Sequence, residues 1–173
     1  MTKALLIIDY TNDFIADDGA LTCGKPGQAI EGHILELADE FYQNGDYVIF
    51  PTDGHTHDKF SPEYKLFPPH NIIGTSGQEL YGKIKTWYDV HKDSDKVYKF
   101  NKNRYSSFQN TNLDNYLRER KIDDLCLYGF SCDNFSAYCS LNRYFKKLSW
   151  NIFLKLFSNL SCSAVCLVNV NYK

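Results

Sequence analysis

The apolar positions of the first 129 residues fall into short continuous runs separated by amphipathic stretches. Ala4 to Ile8 is unbroken apolar text, as expected of a central parallel strand buried on both faces, and it ends in the acid Asp9. Ala29, Ile30, Ile34, Leu37, Ala38 and Phe41 recur at helical spacing, which predicts an amphipathic helix over Ala29 to Gln43, closed by Asn44-Gly45. Tyr47 to Phe50 reads as a second strand, Gln78 to Tyr88 as a helix, and Lys96 to Phe100 as a third strand. Asn112 to Arg120 is a short helix, with Asp114 near its start and arginines near its end complementing the macrodipole. Asp124 to Tyr128 is a fourth strand, closed by Gly129. Asp13 to Pro26 is polar and glycine-containing and reads as a loop, and Gly74 to Gly77 as a turn. Strands alternating with helices imply an α/β fold: one parallel sheet with right-handed crossovers, covered by helices.

After Gly129 the periodicity weakens. Asn151 to Phe157 and Ala164 to Val170 read as strands, and Asp133 to Lys147 as a poorly formed helix. At 173 residues the whole chain is expected to be one domain.

Composition narrows the class of protein. A formal charge of −2 argues against a nucleic-acid binder. There is no run of roughly 18 apolar residues, so no membrane span is expected. The opening MTKALLIIDYTNDF has too short an apolar run for a signal-peptide core and contains an acid, so it reads as a first strand. Cys23, Cys126, Cys132, Cys139, Cys162 and Cys166 are unevenly spaced in a chain too long for a small disulfide scaffold. A reduced, cytoplasmic protein is the simpler expectation.

Candidate chemistry concentrates at the strand ends. The stretch DGHTHDKFSPEYKLFPPH follows the second strand and carries Asp53, His55, His57, Glu63 and His70. Imidazoles and carboxylates together suit zinc, iron or manganese. Pro62, Pro68 and Pro69 exclude a regular helix or central strand across it. The Asp-x-His-x-His spacing fits no zinc-finger template, so a polar surface loop is equally open on these residues alone. Asp9 follows the first strand, Lys102 the third and Cys132 the fourth. A thiolate beside an ammonium and a carboxylate is a workable nucleophile set. Taken singly, each has a plainer reading: a turn-forming Asp, a solvated Lys, a buried inert Cys.

Four blocks bring these positions together. They are LLIIDYTNDF, TDGHTHDKFSPEYKLFPPHNIIGTSG, KNRYSSF and LCLYGFSCD, in that order. In them the chain resembles the isochorismatase-like cysteine hydrolases and, within these, the nicotinamidase/pyrazinamidase branch, over residues 1 to about 133. The resemblance implies a three-layer α/β/α fold around a central parallel sheet. It implies Asp9, Lys102 and a cysteine as catalytic residues, and Asp53, His55, Glu63 and His70 as ligands of a divalent metal, zinc foremost, with iron or manganese as alternatives. Phe14, Phe67 and Tyr105 would line the substrate pocket, and His57 would stand outside the ligand set. The implied reaction converts nicotinamide to nicotinate and ammonia through a cysteine thioester, in NAD salvage, with pyrazinamide as a further substrate. The implied partner is a small molecule, with a homo-oligomer as a further expectation.

The match breaks at the nucleophile. The family block runs Gly-x-x-Thr-Asp-x-Cys-Val, whereas this chain reads Gly129-Phe130-Ser131-Cys132-Asp133-Asn134-Phe135-Ser136. Aligning Gly129 and Asp133 puts Phe135 where the nucleophile belongs, and using Cys132 instead moves it three residues early. Misplacement by ~1 Å can lower a rate on the order of a hundredfold. The family's later helix, strand and closing helix have no recognisable counterpart, so incomplete C-terminal elements are expected. A shifted reading frame and ordinary divergence both account for this. Cys132 is the expected nucleophile of an active enzyme; the alternative is an impaired relative that keeps metal or pyridine binding.

Overall fold

Strand β1 (Thr2–Ile8) lies at the centre of a sheet, between β2 (Tyr47–Asp53) and β4 (Ile122–Gly129), with β3 (Val97–Lys102) outside β2. These four strands are parallel. The structure is a computed structural model that describes residues 2–58, 63–129, 150–151 and 168–171; for 63–64, 150–151 and 168–171 only the backbone is described. The helix expected over Asp133 to Lys147 lies outside the described residues.

Continuous apolar text makes β1 and β2 central because each must be covered on both faces. On one face Leu5, Ile7, Val48 and Phe50 pack with Ile34 and Ala38 of α3 (Glu31–Gln43) and with Ile84 and Trp87 of α5 (Gly82–His91). On the other, Ala4, Leu6, Ile49, Leu125 and Leu127 meet Leu113, Tyr116 and Leu117 of α6 (Leu113–Glu119). This is the layered α/β arrangement expected from the alternation of elements.

Several boundaries differ from the sequence expectation. The helix expected from Ala29 begins at Glu31 as α3, and a separate turn, α2 (Lys25–Gln28), with Pro26 in its first turn, precedes it. The segment expected as a loop from Asp13 holds one helical turn, α1 (Asn12–Ile15). The helix expected from Gln78 begins at Gly82, after a 3-10 turn at Ser76–Gln78. Residues 79–81 are held extended, because the Asn12 N–H donates to Glu79 O and the Tyr81 N–H to Tyr10 O. Among the prolines of the histidine-rich stretch there is room for a single turn, α4 (Glu63–Leu66). β2 and β3 both run further than expected, so Asp53 and Lys102 become paired last residues of adjacent strands.

The four parallel strands form the central parallel sheet that was expected, and an antiparallel edge extends it. Residues 150–151 (β5) and 168–171 (β6) add to the sheet in the order β4-β6-β5, and both new pairings are antiparallel. An antiparallel strand needs no crossover helix, and such strands commonly finish the edge of a parallel sheet. Cys126 lies buried and unbridged in β4, and Cys23 is half-buried.

The two central strands stay in register to the very edge of the site, with Ile8 opposite Gly129. A Cβ on Gly129 would run into the backbone nitrogen and oxygen and the Cβ of Ile8. We therefore expect Gly129→Ala to destabilise the protein by about 1–3 kcal/mol, as overpacking of a tight contact does. Urea unfolding followed by circular dichroism checks this; an unchanged midpoint would show that β1 and β4 separate at little cost.

Candidate active site

The pairing of β1 with β2 extends only from Ala4–Tyr47 to Leu6–Ile49. Beyond it β2 continues to Asp53, and Asp9 bridges the opening. Asp9 leaves β1 in the left-handed region (φ 57°), which Asp tolerates better than most residues. Its N–H donates to Pro51 O at 3.1 Å. Its Oδ1 accepts the Asp53 N–H at 2.7 Å, and its Oδ2 meets Lys102 Nζ at 2.7 Å. The carboxylate thus replaces the missing strand partner and neutralises the lysine at the end of β3. The side chains of Lys102 and Asp9 are only 3% and 12% exposed, so neither charge is tolerable without the other. Burial pushes the Asp9 carboxyl above its ordinary value, outweighing the opposite pull of Lys102, and the nearby charge of Asp53 adds to the rise.

Asp53 faces the other way in effect. Burial would raise its carboxyl, but hydrogen bonds from His55 and His70 and the charge of Lys102 together hold it well below the usual range. Its Oδ2 lies 2.9 Å from His55 Nε2 and 3.4 Å from His70 Nε2. Asp53, His55 and His70 each offer one ligand atom, and these atoms all lie within 4.8 Å of one another. His70 Nδ1 lies 2.8 Å from Pro68 O, an acceptor, so that nitrogen carries the proton. In a neutral ring Nε2 then presents a lone pair to the carboxylate. Two acceptors facing each other call for a cation between them, either a second ring proton or a metal ion. One carboxylate and two imidazoles, with one imidazole fixed by a backbone carbonyl, therefore fit a divalent metal of the zinc, iron or manganese kind.

Polar residues not singled out from the sequence support this cluster: Thr11, Asn71 and Gln78 are buried and Asp13 half-buried. Asn71 Nδ2 donates to Asp53 Oδ2 at 3.2 Å, and Thr11 Oγ1 donates to Asn71 Oδ1 at 2.8 Å. The Asn71 N–H donates to Asp13 Oδ2 at 2.6 Å. Gln78 Nε2 spans Asp53 O at 3.3 Å and Asn101 Oδ1 at 2.7 Å. The Asp13 carboxylate fills the space that a Cβ on Gly77 would need. The one sequence signal for Asn71 is an asparagine directly after a ligand-type histidine, at a position of positive φ (44°).

The remaining expected residues divide into three groups. Phe14 and Phe67 set their rings 5.7 Å and 6.0 Å from that of His70. His57 is exposed, and Tyr105, on the loop after β3, is 59% exposed. The backbone of Glu63 starts the α4 turn, but its side chain and the whole of Cys132 lie outside the described residues. Asp9, Lys102, Asp53, His55 and His70 do converge at the carboxyl ends of β1, β2 and β3 and the loops beyond them, where open α/β sheets place their sites.

Fold and site together describe an α/β protein with a buried Asp–Lys pair beside an Asp–His–His cluster. The Isochorismatase domain model matches residues 3–134. An uncharacterised isochorismatase family protein, PncA of Bacillus subtilis, is 49% identical over 147 residues, covering 84% of this chain and 80% of that protein. A crystal structure of nicotinamidase/pyrazinamidase PncA from Bacillus subtilis superposes with a TM-score of 0.79 at 48% identity, covering 83% of this chain and 80% of the other. The pyrazinamidase/nicotinamidase of Streptococcus mutans gives 0.78 at 46% identity, with 83% and 81% covered. The chain belongs to the isochorismatase family, in its nicotinamidase/pyrazinamidase branch. The family match ends at residue 134, where the expected nucleophile block loses its pattern.

Replacing Lys102 isolates the Asp9 charge. Lys102→Met is expected to cost about 3–5 kcal/mol at neutral pH. It also raises the folded-state affinity of Asp9 for a proton still further. A carboxyl raised on folding is protonated at low pH and loses stability as pH climbs through its folded value. The deficit of the variant should therefore be smaller near pH 4 than near pH 7. Urea unfolding of metal-free protein at the two pH values measures this, and an equal deficit at both would show that removing Lys102 leaves the proton affinity of Asp9 unchanged.

Proposed function

We propose that this protein hydrolyses nicotinamide to nicotinate and ammonia, with pyrazinamide as a second substrate, within NAD salvage. The observation that carries the reading is the buried Asp9–Lys102 pair set against the Asp53–His55–His70 cluster at one sheet edge. Kinship with nicotinamidase/pyrazinamidase structures supports it.

In this reading Asp9, lifted by burial, accepts the thiol proton of Cys132. The thiolate adds to the carboxamide carbon, and Lys102 helps balance the charge that develops nearby. The C–N bond breaks as the leaving nitrogen takes the proton back from Asp9 and departs as ammonia. Water, deprotonated by the same carboxylate, then opens the thioester, and the proton returns to the sulfur. Asp53, His55 and His70, with Glu63 as a fourth ligand, would hold a divalent ion, zinc foremost. Such an ion, when bound, supplies a Lewis-acid contact for the pyridine nitrogen and so fixes the ring. The rings of Phe14 and Phe67 beside His70, and Tyr105 on the neighbouring loop, would flank the flat substrate. The partner is a small molecule. No described helix is long and apolar enough to cross a membrane.

A second reading rests on a specific feature of the chain: Phe135 stands where the family alignment needs its cysteine. An impaired relative would keep the cluster and the Asp–Lys pair but not the reaction. Ammonia release from nicotinamide separates the two. We expect turnover that is lost on chelation, returns with added zinc, and is abolished by Cys132→Ala. A folded, metal-loaded protein that releases no ammonia would establish the second reading instead.

A further inference from the structure

Asn71 touches all three ligand-type residues of the cluster at once. Its side chain donates to Asp53, its carbonyl accepts the His55 N–H at 3.0 Å, and it shares a peptide bond with His70. It is fully buried, as is Thr11. We propose that Asn71 is the positioning residue of this cluster, holding its three ligand-type residues in one metal-ready arrangement. The proposal rests on the metal-binding reading above and extends it to a residue outside the ligand set.

The orientation of the amide follows from donor and acceptor chemistry. An ionised carboxylate only accepts, so Nδ2 must face Asp53 and Oδ1 must face Thr11. The Thr11 hydroxyl then has to donate, which locks the amide against a flip. The backbone is pinned as well: the Asn71 N–H lies 2.6 Å from Asp13 Oδ2, and the Ile73 N–H returns to His55 O at 2.9 Å. Asn71 adopts a left-handed φ of 44°, which a bulky residue would resist and which turns the chain directly after His70.

The donors on Asp53 Oδ2 are not equivalent. The two imidazole nitrogens are themselves ligand atoms and would turn their lone pairs to an ion. The Asn71 amide N–H has no lone pair to offer, so it stays on Asp53 in either state. Among the described residues, it is the donor that can keep that carboxylate aimed when the imidazoles are occupied. Partners of this kind typically change metal affinity about 10–100-fold.

Glycine isolates the side-chain effect, because it accepts the left-handed backbone at no steric cost. We expect Asn71→Gly to bind Zn2+ about 10–100-fold more weakly than the wild type, measured by competition with a chromophoric chelator. The Co2+-loaded variant should show a shifted d–d absorption band. Thr11→Val, which frees the amide, should shift both readouts in the same direction, and Thr11→Ser should restore them. Circular dichroism checks folding, and the two Thr11 variants decide the matter if Asn71→Gly does not fold. A purely structural role would lower thermal stability and leave affinity and Co2+ spectrum unchanged; that result overturns the proposal. A wild type that takes up neither Zn2+ nor Co2+ overturns the metal reading itself, and the positioning role with it.

Discussion

The site depends on one carboxylate that stands in for a missing length of strand. β1 stops pairing with β2 at Leu6, yet β2 runs on to Asp53. Asp9 fills the opening by accepting the Asp53 N–H and by neutralising Lys102 from the far strand. A single side chain thus joins the ends of three strands. Because the Asp9–Lys102 pair is buried, its attraction is little screened by water, and removing one member leaves the other exposed to the full cost of desolvation. Parallel strands with good hydrophobic cover can support such a pair, since their own stability does not rely on it.

The same arrangement divides two carboxylates by environment. Asp9 and Asp53 are joined by a hydrogen bond, yet burial raises one while imidazole donors hold the other low. A base and a permanent anion thereby sit side by side, a separation that acid–base sites commonly use. The His70 imidazole is ordered by Pro68 O, and the backbone of His55 is held by its N–H donating to Asn71 O. The loop that carries them is therefore tied to the strands at several points despite its three prolines.

Much of the site was legible in the chain because its residues are tied to strand ends. Asp9, Asp53 and Lys102 each follow an apolar run, and a run's end is what periodicity locates best. His55 and His70 were visible as ligand-type side chains in a proline-broken loop, and the order of blocks supplied their grouping. Boundaries were less legible. Nothing in the text of residues 79–81 signals that they are held extended by Tyr10 and Asn12, since that restraint comes from far upstream in the chain.

The buried strands, the helices that cover them, and the chemical types available at their ends are written in the chain. They follow from local periodicity and from the need to bury apolar surface on both faces. Which polar groups meet is settled in the folded molecule. The 2.7 Å contact of Asp9 with Lys102 joins residues from opposite sides of β2, and the buried Thr11, Asn71 and Gln78 look like ordinary loop polar residues in the text. Their role exists because burial leaves each donor and acceptor no water to turn to, so each must be satisfied by the one partner that folding brings within reach.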